Sequence, residues 1–210
     1  MIHATYTHDD ARILIWKITE SEDELYQQLK NEEEKRQFSS LNSEKRRKEF
    51  LGVRIALQTL LGREIQIGYT HEGKPYLPDG SYRISISHSR EWIAVMVHPV
   101  LEVGIDIEIQ KQTVLRVYKK FLHETEIARF AGEQDEEKRR IRFQLIWGAK
   151  EALYKIVGHD WVDFSAGFQT LPFDLQPEGT LNVIDSKKGR IFALKYFQDK
   201  HYCLVFCLAK

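Results

Sequence analysis

Asp106 and Glu108 stand two apart in VGIDIEI, residues 103–109, each flanked by isoleucine. Residues two apart on a strand share a face, so the two carboxylates project together while Ile105, Ile107 and Ile109 take the other side. Carboxylates so placed repel, which raises the pKa of at least one unless a cation or donor compensates. A third acid, Glu151, lies in WGAKEALYK, residues 147–155. Leu145, Ala149, Leu153 and Ile156 form the core stripe of a helix there, and Trp147, Glu151 and Lys155 follow at i, i+4 and i+8 on roughly the opposite side. A tryptophan in that stripe suits a covered face rather than open water, which places Glu151 in a cleft. Three convergent carboxylates suit a hard cation, and Mg²⁺ typically takes one or two of them plus water and phosphate oxygens.

Candidate phosphate ligands are present as well. In EKRRKEFLGVR, residues 44–54, Arg47 and Arg54 are seven apart on one side of a helix, with Arg46 about a third of a turn away. The arginine fork matches phosphate geometry. Lys74 sits in a loop before a proline in EGKPYLPDG, and His88 ends a strand in SISHS, expected to face away from Ile84 and Ile86. There is no glycine-rich dinucleotide loop, Walker loop, G-x-S-x-G or C-x-x-C motif. Acids for a metal, bases for phosphates and no protein nucleophile point to phosphoryl-type transfer to a hydroxyl brought by the acceptor.

The elements that must position these groups are read from periodicity and turn signals. Strands are expected near 11–18, 64–70, 82–88, 91–98, 101–109, 181–185, 190–197 and 202–208. Helical segments are expected near 21–37 and 112–132, and long helices near 43–61 and 135–157. The order repeats: strand, helices, one long helix, then antiparallel strands. LGVRIALQTLLG (51–62) and WGAKEALYKIVG (147–158) align without a gap, pairing Gly52 with Gly148, Ala56 with Ala152, Leu57 with Leu153 and Gly62 with Gly158. Ile55 meets Glu151 in the same alignment, which favours one site at the seam between two copies over two equivalent sites. The expected fold class is α+β, with an N-terminal α+β half at 1–100 and a C-terminal half at 101–210 carrying the metal site.

At 210 residues the chain can bury a substantial core. Its 31 Lys and Arg against 31 Asp and Glu argue against general attraction to nucleic acid or membrane. No apolar run reaches the roughly 18 residues of a membrane span, and the N-terminus lacks signal-peptide character. Cys203 and Cys207 lie in an apolar run and are expected to be buried thiols in a reducing, cytoplasmic setting.

The motifs GKP at 73–75, SISHS at 85–89, GIDIE at 104–108 and WGAKEALYK at 147–155 together resemble the Sfp-type 4′-phosphopantetheinyl transferases, in the order of that family. The last resembles the family signature W-x-x-K-E-A-x-x-K. The resemblance covers roughly 44–158 and implies two similar halves related by pseudo-twofold symmetry, with the active site at their interface. It implies Mg-dependent transfer of the phosphopantetheine arm from coenzyme A to a serine of an acyl or peptidyl carrier protein, releasing adenosine 3′,5′-bisphosphate. By position Asp106, Glu108 and Glu151 match the magnesium acids, and Glu151 is also the candidate general base. Lys155 matches the lysine near the transferring phosphates, and Lys150 precedes the essential acid. Lys74, Ser87 and His88 fall in the coenzyme A-binding motifs, and by position Arg46 and Arg54 fit the arginines of the 3′-phosphate segment, although helix geometry favours Arg47 over Arg46. Glu126 matches an acid found in part of the family near the metal or acceptor. Gly148 departs from the small hydroxyl or thiol residue common there, and KNEEEKRQF (30–38) is largely acidic where some members are basic. A monomer without nucleic-acid or membrane partners is expected. The alternative is a Mg-dependent nucleotide or pyrophosphate hydrolase using the same acids, and a third reading is a non-catalytic coenzyme A or carrier-protein binding module.

Overall fold

Two long helices with well-marked ends organise the chain, and the computed structural model describes residues 1–130, 132–158 and 163–209. The chain divides into two compact units, Met1–Val103 and Gly104–Lys210. In the first, β1 (Ile2–His8) and β2 (Ala11–Lys17) precede α1 (Glu22–Tyr26), α2 (Glu32–Ser39) and α3 (Glu44–Leu61). The ribbon β3 (Gly68–Tyr69) and β4 (Pro75–Tyr76) and the hairpin β5 (Arg83–Ser89) and β6 (Trp92–His98) follow. Ser43 caps α3 through its hydroxyl, and Gly62 ends it at φ 69°, a left-handed position that glycine adopts without strain. The sheet order is β1-β2-β6-β5, antiparallel throughout. Helix α3 lays Leu51, Ile55 and Leu57 on Leu14, Trp16, Ile84, Ile93, Val95 and Val97 of that sheet. An added Cβ on Gly52 would lie 2.4 Å from Ile93 Cδ1, so glycine sets this close approach.

The second unit begins within β7 (Glu102–Ile109) and continues through α4 (Val114–Val117), a 3₁₀ turn, α5 (Glu124–Phe130), α6 (Glu136–Val157) and α7 (Phe164–Gly167). It closes with β8 (Phe168–Thr170), β9 (Glu178–Asp185), β10 (Arg190–Gln198) and β11 (Tyr202–Ala209), in the order β7-β11-β10-β9-β8. The Asp135 carboxylate caps α6 by accepting from the amides of Glu137 and Lys138. One flank of α6 buries Leu145, Ala149, Ala152 and Leu153 against Leu181, Val183, Leu194 and Val205. Its other flank buries Phe143 and Ile146 with Val114, Phe121, Leu122 and Phe130. The helix is covered on both sides, as a tryptophan in its second stripe requires.

In both units the long helix is followed by strands whose last member pairs with the first strand of the repeat: β6 with β2, and β11 with β7. The mixed α+β class agrees with the sequence reading. Three details differ. Residues 64–70 form only the two-residue strand β3, because the Ile67 amide donates to the Glu34 carboxylate instead of to a neighbouring strand. Residues 21–37 form two short helices, since Ser21 caps α1 and Asn31 caps α2 as a fresh start. Strand β1 went unrecognised because it is a mostly exposed edge without a clean apolar alternation. Cys203 and Cys207 are free and buried on β11, and burial pushes the Cys203 thiol up to about 12. Among the described residues no helix is long and apolar enough to cross a membrane.

Candidate active site

The acids of the second unit are brought together by a backbone contact. A Cβ on Gly104 would lie 1.9 Å from the Ala152 carbonyl oxygen, so only glycine lets β7 approach α6 this closely. One strand period further on, Asp106 Oδ1 accepts from Lys155 Nζ at 3.0 Å. The same ammonium donates to the Ile105 carbonyl at 2.7 Å. Glu108, one more period along, accepts from the Trp147 indole at 3.3 Å and meets Lys111 at 3.4 Å. Trp147 packs against Phe121 and Phe164, with ring centroids 5.1 and 5.4 Å away.

Burial pushes the Glu151 carboxyl up to about 7, and the Asp106 charge pushes in the same direction. Lys155 opposes the shift, and Glu108 adds to it. The structure therefore brings Asp106, Glu108, Glu151 and Lys155 into one electrostatic neighbourhood. Among the described residues no three His, Cys, Asp or Glu side chains are grouped as metal ligands. The donor set still fits a hard cation: all three groups offer carboxylate oxygens, and their mutual repulsion is what a divalent charge relieves. Gly148 leaves the flank of Asp106 open, since a Cβ there would lie 3.4 Å from Oδ2 and 3.1 Å from Val205 Cγ2.

The candidate phosphate ligands of the first unit have varied surroundings. Lys74 Nζ lies 2.6 Å from Glu102, which also meets Arg83 at 3.1 Å. His88 lies on the same face of β5 as Ile84 and Ile86, since 84, 86 and 88 share parity and pair with Val97, Val95 and Ile93. The expectation that it faced away from them is corrected; that face carries α3, whose Glu49 sits 3.3 Å from His88 Nδ1. Ser87 is buried and points to the opposite face, with Ser85 and Ser89. Arg46 is exposed and makes no ion pair among the described residues, whereas Arg47 is held by Glu22 at 2.9 Å.

Arg54 is not at the surface. It is 1% exposed and its Nε donates to Glu34, itself 0% exposed, while its guanidinium lies 3.2 Å from the centre of the Phe50 ring. A cation enclosed with its counter-ion has no open donor for a ligand phosphate, so the expected 3′-phosphate contact from Arg54 is replaced by a structural role. Glu126 is corrected in the same way. It is fully buried, accepting from Lys150 Nζ at 2.7 Å and from the amides of His123 and Thr170, both at 2.7 Å. Reasoning from sequence missed a cavity of about 330 Å³ whose charged lining is Lys45, Lys48 and Arg90 together with Glu20, Glu49 and Glu91, the Glu49 carboxylate lying 3.3 Å from His88. The one available signal was the run of basic residues on α3 together with Arg90 two residues after His88.

A model of the 4′-phosphopantetheinyl transferase superfamily matches residues 102–207, just over half of the 210-residue chain. The chain belongs to that superfamily of transferases. It is 26% identical over 201 residues to the 4′-phosphopantetheinyl transferase Sfp of Bacillus subtilis, covering 86% of this chain and 88% of that protein. It is 25% identical over 196 residues to a phosphopantetheinyl transferase of Thraustochytrium, covering 81% of this chain and 67% of the relative. A relative from Synechocystis is 29% identical over 145 residues, and the matched region covers 63% of this chain and 58% of the relative's length.

Proposed function

We propose that the protein transfers 4′-phosphopantetheine from coenzyme A to a serine hydroxyl of an acyl or peptidyl carrier protein, releasing adenosine 3′,5′-bisphosphate. The observation that carries this reading is the Asp106–Lys155 contact at 3.0 Å beside a Glu151 whose carboxyl is pushed up to about 7. A divalent cation on these carboxylates would favour their ionised forms, and an ionised Glu151 can accept a proton from an incoming hydroxyl. Asp106, Glu108 and Glu151 would hold Mg²⁺, which supplies Lewis-acid stabilisation of the charge developing on the pyrophosphate. Lys155 has three donor hydrogens and uses two on Asp106 and Ile105, which leaves a third for a phosphate oxygen. Glu151 accepts the serine proton, directly or through water, as the serine oxygen forms its bond to phosphorus and the bond to the leaving adenosine bisphosphate breaks. Lys74, His88 and Arg46 would hold donor phosphates.

Incubation with coenzyme A, Mg²⁺ and a panel of apo carriers, read by mass spectrometry, tests the assignment. The expected result is a phosphopantetheine adduct on at least one carrier, lost by at least about 100-fold in Glu151→Gln, as expected when a general acid–base group is removed. Acceptor-independent release of nucleotide would favour a hydrolase instead. Wild-type-like labelling by Glu151→Gln would remove that residue from its role.

A further inference from the structure

Lys150 is a buried cation that the proposed chemistry leaves unused, and it lies fully buried in the helix that carries Glu151. Burial lowers its pKa and the Glu126 charge raises it. Its ammonium is saturated: it donates to Glu126 at 2.7 Å, to the Phe121 carbonyl at 2.6 Å and to the Phe164 carbonyl at 3.2 Å. The residues that supply those two carbonyls also supply the two rings packed on Trp147, at 5.1 and 5.4 Å. Trp147 in turn donates its indole hydrogen to Glu108. One ammonium thus fixes two backbone points whose side chains hold the indole that orients a carboxylate of the site.

We infer that Lys150, neutralised by Glu126, is a positioning residue that orients Glu108 through Phe121, Phe164 and Trp147. The inference rests on reading Glu108 as an acid of the proposed metal site. An apolar side chain of the same length fills the space but leaves both carbonyls without their donor, so the two rings lose their anchors. The indole then samples other orientations, and Glu108 loses one of the contacts that orient it. Glu126 acts at one further remove, as the buried partner of the Lys150 ammonium at 2.7 Å.

Two readouts test this on the full chain. In metal-free protein, the ¹H–¹⁵N resonance of the Trp147 indole, assigned through Trp147→Phe, is expected to shift and broaden in Lys150→Met. The Trp16 indole, bonded to Glu20 at 3.3 Å, is expected to stay in place. Lys150→Arg, which retains donors, is expected to restore most of the Trp147 signal. Mn²⁺ binding, followed by the paramagnetic resonance of the free ion, is expected to weaken about tenfold in Lys150→Met and in Trp147→Phe. The double variant is expected to be no weaker than either single change, because coupled residues are not additive. An unmoved Trp147 resonance in folded Lys150→Met, or losses that multiply in the double variant, would overturn the inference. If Lys150→Met does not fold, Phe121→Leu with Phe164→Leu keeps the ion pair and must displace the same resonance; an unmoved signal again overturns it. A wild-type protein that binds no Mn²⁺ defeats the reading of the metal site, while the indole resonance still decides the role of Lys150.

Discussion

The two long helices are built to one plan and used differently. Gly52 of α3 lies against Ile93 on β6, and Gly148 of α6 lies against Val205 on β11, the corresponding last strand. Two residues after each glycine comes a buried cation, Arg54 or Lys150, paired with a buried glutamate of a preceding helix, Glu34 or Glu126. Each glutamate is the third residue of its helix, and each also accepts one amide from the segment beyond the long helix, Ile67 in one case and Thr170 in the other. The next position separates them: Ile55 is buried among the apolar residues of its core, and Glu151 is half-buried among other charges. The ion-paired node is common to both helices, and only the second carries a carboxylate at the next position.

The largest test of this comparison targets the shared node. Arg54→Met leaves Glu34 charged and enclosed, and is expected to cost about 3–5 kcal/mol in denaturant unfolding. Adding Glu34→Leu is expected to recover only part of that, because the Ile67 amide still loses its acceptor. Transfer from coenzyme A and from its 3′-dephospho form should decline together. Selective loss with coenzyme A at unchanged stability would return Arg54 to the phosphate.

A smaller effect sharpens the one position where the helices diverge. The Glu151 carboxyl is raised from its ordinary 4.5 to about 7 in the folded protein. Between those values the folded chain holds a proton that the unfolded chain has released, so the contribution of Glu151 is present below 4.5 and lost as pH rises through about 7. In a chelator, Glu151→Gln should match wild type near pH 4 and exceed it by about 2 kcal/mol at pH 8, a figure reduced for partial exposure. Urea midpoints across pH measure this, and a pH-independent gap would show that Glu151 does not titrate as described. The smallest expected effect is at exposed Arg46, where Arg46→Ala should raise KM for coenzyme A about two- to fivefold without moving Tm. An unchanged KM would remove it from donor binding.

Much of this was legible because periodicity carries it. The apolar stripe of 145–156, the long helices near 43–61 and 135–157, and the strand pair 82–88 with 91–98 all follow from local rules, and the elements form where those rules put them. The alternation in 103–109 likewise places Asp106 and Glu108 on one face. Partner choice was not legible. Arg54 and Arg46 have the same fork, and only tertiary packing encloses one with Glu34 and leaves the other exposed. Glu126 was read only by resemblance, as an acid near the metal or acceptor; nothing local marks it as buried, and its partner Lys150 is 24 residues away. Glu49 and Glu102 were overlooked for the same reason: an acid facing a candidate phosphate ligand across the fold has no signal in the one-dimensional string.

The contact between Gly104 and the Ala152 carbonyl has a consequence for tolerance to change. Where main chain abuts main chain there is no rotamer to readjust, so the separation between the strand of Asp106 and the helix of Glu151 is a rigid dimension. Substitutions in the surrounding core can alter how firmly that distance is held, but they have little means of resetting it.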